Sequence, residues 1–126
     1  MVDKIIDKFV KIDVLVNNAG IAIDDAYMQY TVYNFKQVIN TNLIEVFFVS
    51  KYVAKYMLDK KSAVIINILS NNGLDCYFPM SLDYDASKVG VIPLAHNLAK
   101  ALSPYIKVNA VTSGWTKTGS VIGMIP

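Results

Sequence analysis

The sequence predicts an α/β domain: a doubly wound parallel sheet of about three strands with flanking helices. Two observations predict it. Helical and strand-like periodicities alternate in the order helix, strand, helix, strand, helix, strand, and such alternation calls for right-handed crossovers between parallel strands. Each apolar strand run also ends in small or polar residues, "NNAG", "LSNNG" and "TSGW". In open parallel sheets ligands bind beyond the carboxyl ends of the strands, so three such ends at one edge make a site by topology alone.

The elements follow in order. Val2, Ile5, Ile6 and Phe9 fall at i, i+3, i+4 and i+7, the spacing of a short amphipathic helix. "IDVLVNNAG" is an apolar run of the kind found in parallel strands covered on both faces, and the loop "IAIDDAYMQY" follows. From Thr31 or Thr41 the helical period returns and runs through "FKQVINTNLIEVFFVSKYVAKYMLDK". Val38, Asn42, Glu45, Val49 and Val53 trace one stripe. Phe35, Ile39, Val46 and Ala54 lie on others, so this helix is apolar round most of its girth. Two readings stay open: a core helix, or one that packs on its own sheet and on another subunit. "KKS" turns the chain, "AVIINILS" is a second buried strand, and "NNGLDCYFPMS" is a loop punctuated by glycine and proline. "LDYDASKVGVIPLAHNLAKAL" is a third helix, with Ser81 or Asp83 able to cap its start. Pro93 inside it forfeits a backbone bond and should kink it at a cost of about 3 kcal/mol. "YIKVNAV" is the third strand and "TSGWTKTGSVIGMIP" the closing loop.

The 126 residues suit one domain, residues 1–126. They are 54% hydrophobic and 17% charged, more apolar than a typical small domain. Such a chain buries its elements on two sides or exposes a surface meant for a partner. A net charge of +2 argues for neither nucleic acid nor an anionic membrane, and Lys60-Lys61 reads as a solvated turn. The single cysteine, Cys76, excludes a disulfide framework and a cysteine metal cluster within the chain; a reduced cytoplasmic setting is the expectation. "MVDKIIDKFVKID" is no signal peptide, and no apolar run reaches the roughly 18 residues that span a bilayer. His96 reads as a surface or interface residue with no cluster beside it to hold a metal. Trp115 either packs or lines a pocket. Asn71 and Asn72 suit loop hydrogen bonds, and Asp24 and Asp25 read as solvated.

Tyr84 and Lys88 stand at i and i+4 and share a helix face. A free phenol has a pKa near 10 and is no base at neutral pH. An ammonium nearby favours the phenolate, which readies the pair to exchange a proton with a carbonyl or alcohol. Ser70, ending the preceding strand, could bond the same oxygen, and Asn42 could hold a water linking Lys88 to solvent. Alone, a Tyr and a Lys at this spacing also describe a packed ring and a solvated cation.

The whole set is more specific. "NNAG" after a strand, "NTNL" in the next helix, a serine ending the following strand, "YDASK" fourteen residues later and "VNAVTSGWTKT" after the next strand occur in one order. From about Val2 to Thr118 this resembles the short-chain dehydrogenase/reductase family, in the branch that includes 3-oxoacyl-(acyl-carrier-protein) reductases and glucose-dehydrogenase-like enzymes. The resemblance implies a Rossmann-like fold and hydride transfer between NAD or NADP and a small carbonyl or alcohol substrate. It places the family's catalytic tetrad on Asn42, Ser70, Tyr84 and Lys88. Tyr84 would be the general acid, Lys88 would support it and hold the nicotinamide ribose, Ser70 would polarise the carbonyl, and Asn42 would serve a proton relay. "NNAG" falls on Asn17, Asn18, Ala19 and Gly20, near the cofactor and bracing the strand. Gly114 and Thr118 match the nicotinamide turn. The resemblance also implies a homodimer or tetramer paired through helices at about 32–58 and 83–102.

The departures matter too. The family's Thr-Gly-x-x-x-Gly-x-Gly turn, which seats a pyrophosphate at a helix N-terminus, is absent from the sequence. The chain looks like the central half of a Rossmann-like domain, lacking the glycine-rich half, the substrate loop and the last strand. Its first strand should then be an open edge. Val10 stands where the family places a glycine, Ser113 replaces a proline, and Pro93 is unusual. The alternative is a catalytically inactive fragment serving only as a dimerisation or interaction module.

Overall fold

A computed structural model describes residues 2–74 and 78–114. Helix α1, Val2–Phe9, leads to strand β1, Val14–Asn17. A loop with one 3-10 turn, Tyr27–Gln29, follows, then α2, Val32–Ile39, a π turn at Asn40–Ile44, and α3, Glu45–Leu58. Strand β2, Ala63–Ser70, runs into a 3-10 turn, Asn71–Gly73; α4 spans Leu82–Leu102 and β3 spans Ile106–Ser113. The sheet order is β1-β2-β3, parallel throughout. Asn17 pairs with Asn67 and Ser70 with Ser113. All three strands therefore point the same way, and the loops after them open at one end.

Helix α1 stops on an unfavourable residue. Val10 donates its N–H to the Ile6 carbonyl at 2.8 Å with φ 67. Glycine adopts that left-handed conformation freely, whereas a β-branched residue does so at a cost of about 1–2 kcal/mol.

The long helical stretch begins at Thr31, whose hydroxyl accepts the Asn34 N–H at 3.0 Å. It is not one regular helix. In the π turn the Glu45 N–H reaches back to the Asn40 carbonyl, which accommodates an extra residue. The inward stripe shifts accordingly to Val38, Asn42, Val46, Ser50, Val53 and Met57. Glu45, placed on that stripe by a regular period, is exposed.

Central strand β2 alternates, with Ala63, Ile65, Asn67 and Leu69 buried. Ala63 and Ile65 pack with Val53, Ala54, Met57 and Ile106, and Leu69 packs with Val46 and Val91. Full burial of a side chain such as Met57 contributes about 1.5–3 kcal/mol. The expected cover on both faces holds for β2 only in part. On β1, Val14 and Val16 are half exposed, and β1 is an edge of the sheet. Helix α4 runs from Leu82 to Leu102 with Pro93 inside it. Strand β3 continues two residues further than its apolar run, to Ser113, held by pairing with Leu69 and Ser70.

Candidate active site

A cavity of about 540 Å³ lies at the carboxyl ends of the strands. Ser70 from the end of β2, Tyr84 and Lys88 from α4, Gly20 from the β1 loop and Gly114 after β3 all line it. Three of the four tetrad positions thus share one space with two further proposed cofactor positions, Gly20 and Gly114. Its apolar wall includes Ile21, Leu69 and Phe78.

Lys88 is buried, 6% exposed. Its ammonium donates to the Ile68 carbonyl at 3.0 Å and lies 5.5 Å from the centre of the Tyr84 ring. Burial holds its pKa below the usual lysine range, because a low-dielectric site penalises the charged form. The i, i+4 spacing therefore brings phenol and ammonium together, as the helix period requires.

Asn42 lies behind the cavity, 1% exposed. Its Nδ2 donates to the Ile21 carbonyl at 2.8 Å and to Ser87 Oγ at 3.1 Å, and its Oδ1 accepts the Ile21 N–H at 2.9 Å. Both amide hydrogens are engaged. The side chain braces the loop after β1 and presents no donor to a water beside Lys88. Gly20 makes this approach possible, since a Cβ there would sit 3.3 Å from Asn42 Oδ1 and 3.7 Å from Lys88 Nζ.

Asn17 does not enter the cavity. Its Nδ2 donates to Ser50 Oγ and to Asn67 Oδ1, both at 2.9 Å, and Asn67 donates to the Asn109 carbonyl at 3.4 Å. This polar row crosses all three strands beneath the site. Ala19 is exposed, and its neighbour Asn18 lines the cavity instead. Thr118, Trp115 and Cys76 lie outside the described residues. Ser113, in the place of the family's proline, donates its hydroxyl to the Leu69 carbonyl at 3.3 Å and ties the ends of β2 and β3. Among the described residues no group of His, Cys, Asp or Glu is placed to hold a metal.

Sequence reasoning missed several residues that shape the site. Asp85 accepts from Asn72 Nδ2 at 3.0 Å and from the Phe78 N–H at 3.3 Å, anchoring the loop after β2 to α4. Asp24 is exposed, as read, and in addition accepts the Ser81 hydroxyl at 2.5 Å. Ser81 is consequently no side-chain cap for α4. Asp25 accepts from Asn34 Nδ2 at 3.3 Å. Asp83 is wholly buried; it falls four, eight and twelve residues before the buried Ser87, Val91 and Ala95, a spacing that marks the inward face.

The family model for short chain dehydrogenase matches residues 1–123. The chain belongs to the short-chain dehydrogenase family. It is 44% identical over 114 residues to a 3-oxoacyl-[acyl-carrier-protein] reductase from Synechocystis sp., covering 90% of this chain and 46% of the relative. It is 42% identical over 115 residues to an acetoacetyl-CoA reductase from Acinetobacter sp., again covering 90% and 46%. The solved structure of ElxO with NADP bound superposes with a TM-score of 0.89 at 38% identity, covering 98% of this chain and 50% of that one. The chain thus spans about half the length of the curated relatives it matches. The fold read from the sequence, a three-stranded Rossmann-like parallel sheet, is the one observed, and the short-chain dehydrogenase likeness read from the motifs is borne out.

Proposed function

We propose that this short-chain dehydrogenase chain carries the catalytic half of an NAD(P)-dependent oxidoreductase that interconverts a carbonyl and an alcohol, as its relatives named 3-oxoacyl-[acyl-carrier-protein] and acetoacetyl-CoA reductases do by name. The observation that carries this reading is the meeting of Ser70, Tyr84 and Lys88 on one cavity at the strand ends. The residues present fit the nicotinamide end of the cofactor. The glycine at position 20 opens the space beside Lys88, and Lys88 and Gly114 line the same cavity. Gly20, Lys88 and Gly114 would hold the nicotinamide riboside, with Ala19 in the loop beside Gly20 and Asn17 bracing the strand that leads to it; the resemblance adds Thr118. A bound nicotinamide dinucleotide would supply the hydride for reduction.

The chain's own residues do the rest. Ser70 donates its hydroxyl to the carbonyl oxygen and orients it. Tyr84 gives its phenolic proton to that oxygen as the carbon gains its hydride, so the C=O bond becomes CH–OH and the phenolate regains a proton from water. Lys88, fixed by the Ile68 carbonyl, places a positive charge beside the ring. Asn42 supports the proton path by fixing the loop at Ile21. A carbon chain attached to the carbonyl can rest on Ile21, Leu69 and Phe78.

The reading extends to assembly and compartment. Phe47, Phe48, Tyr52 and Val89 are 39–59% exposed on α3 and α4, which supports pairing of two chains through helices at about 32–58 and 83–102 into a homodimer or tetramer. No helix among the described residues is long and apolar enough to cross a membrane; the cytoplasm is the compartment proposed. The same exposed rings favour the second reading, an inactive module that only dimerises.

The experiment mixes this chain with a polypeptide carrying the family's glycine-rich half and follows oxidation of NADH or NADPH by acetoacetyl-CoA. Turnover that requires both polypeptides supports the oxidoreductase. Absence of turnover in a mixture that binds the dinucleotide leaves the dimerisation module standing in its place.

A further inference from the structure

Asp83 is the best-buried acid among the described residues, with no exposed surface. It precedes Tyr84 in the first turn of α4. Helix N-termini leave four backbone N–H groups without helical partners. The usual remedy is the N-cap side chain, but Ser81 Oγ is turned away to Asp24. Asp83 takes over that duty: its Oδ1 accepts the Tyr84 N–H at 2.7 Å.

The same oxygen faces the Tyr30 hydroxyl at 3.2 Å. Tyr30 Oη also lies 3.1 Å from the Ile23 carbonyl and 2.7 Å from the Met80 carbonyl. A backbone bond from the Asp25 N–H to the Met80 carbonyl, 3.1 Å, joins the same two loops. Both loops line the cavity, Ile21 and Asp24 from the first and Phe78 and Ser81 from the second. Three segments therefore meet at one carboxyl: the loop after β1, the loop after β2, and the turn that carries the phenol.

We propose that Asp83, with Tyr30, is a positioning residue that fixes the backbone of Tyr84 relative to the two loops that line the cavity. This rests on Tyr84 being the reactive phenol of the reading above. Its physical basis is pre-organisation. A displacement of about 1 Å in a reacting group can cost 10²-fold in rate, and a residue at the start of a helix is held only as well as its cap. Asp83 Oδ2 is buried without a hydrogen-bond partner among the described residues. Burial raises the carboxyl's pKa, with Asp24 adding to the effect, so the pocket tolerates a neutral group there. The amide of asparagine keeps the Oδ1 acceptor and should substitute well; alanine and leucine keep nothing.

The test uses the full chain with tyrosine isotope-labelled at the hydroxyl-bearing ring carbon, the Tyr84 resonance being assigned with Tyr84→Phe. Asp83→Asn should leave the Tyr84 signal where it is. Asp83→Ala should shift or split it, and Tyr30→Phe should broaden it by freeing the carboxyl to turn. A Tyr84 signal unmoved in a folded Asp83→Ala chain overturns the proposal. If Asp83→Ala does not fold, Tyr30→Phe decides, and an unchanged signal there overturns it equally. In the reconstituted mixture, Asp83→Ala should lower kcat about 10²-fold with KM for the dinucleotide unchanged, and Asp83→Asn should restore it. The two levels fail separately. A displaced Tyr84 signal with no wild-type turnover keeps the positioning role and removes the oxidoreductase. Wild-type turnover that Asp83→Ala leaves intact does the reverse.

Discussion

The Lys88 ammonium is held 5.5 Å from the centre of the Tyr84 ring by a bond to a strand carbonyl, Ile68, at 3.0 Å. A lysine at this spacing on an exposed helix face would be solvated. Here the strand fixes it, and burial is the cause of its lowered pKa.

That burial makes stability depend on pH. The folded chain gives up the Lys88 proton at lower pH than the unfolded chain does. Between the two values the unfolded state binds more protons, so stability rises with pH toward the ordinary lysine range. Below the folded value the penalty is full. Lys88→Met, similar in length and uncharged, should abolish this rise. Urea midpoints for both proteins across neutral to alkaline pH check it; parallel curves would show that the ammonium is not penalised.

Tyr84→Phe removes one oxygen from the cavity and nothing from the core. If the reconstituted mixture reduces a carbonyl as proposed, Tyr84→Phe should lower that rate by about 10²–10⁴-fold, the range for loss of a general acid. The dissociation constant of the reduced dinucleotide should stay close to wild type. A rate retained by the variant would take the proton-donor role from Tyr84.

Val10→Gly should stabilise the chain by about 1 kcal/mol, because the left-handed backbone at φ 67 carries a penalty only when a Cβ is present. Val10 is mainly exposed, so little packing is lost. In thermal unfolding the midpoint should rise by about 4 °C, while Val10→Ala, which keeps the Cβ, should not reproduce the gain.

This strained cap was legible in advance, since a helix ending on valine where a glycine belongs leaves few alternatives. So were the parallel sheet and the pairing of Tyr84 with Lys88, because both follow from periodicity. The π turn was not. Its one-residue shift moves Val46 and Ser50 inward in place of Glu45, and a regular period cannot foresee an insertion. Asp83 was read as a possible cap, but not as a buried acid; one of its partners, Tyr30, lies fifty-three residues away in sequence. The same limit hid Asp24 and Asp85, whose partners come from loops that only the fold brings together. Asn17 was read as bracing its strand, and its side chain does so through Ser50 and Asn67.

Asn17 therefore predicts a stability effect. Its amide satisfies Ser50 and Asn67, which are 0% and 1% exposed. Asn17→Leu would leave both acceptors without that donor, at about 1–3 kcal/mol for each unsatisfied group. Adding Ser50→Ala should recover part of the loss by removing one of them. Denaturant midpoints of the single and double variants measure the coupling, and strictly additive losses would contradict the shared network.

Gly73 sets how closely the loop after β2 approaches α4. A Cβ there would meet the Lys88 carbonyl carbon and the Val89 nitrogen, both at 3.2 Å, and Lys88 Cβ at 3.4 Å. Backbone atoms inside a helix cannot swing aside as a side-chain tip can, so Gly73→Ala must push the loop or α4 outward. Such overpacking costs about 1–3 kcal/mol. Because the strain falls at Lys88, it should also disturb the bond to Ile68, and the alkaline rise in stability described for Lys88 should shrink. Gly90→Ala is the control, since the nearest atom there, at 2.8 Å, is a methyl at the tip of Leu43, which can rotate. A Gly73→Ala chain as stable as Gly90→Ala, with the pH dependence intact, would show that the loop has room to yield and that Lys88 does not depend on this approach.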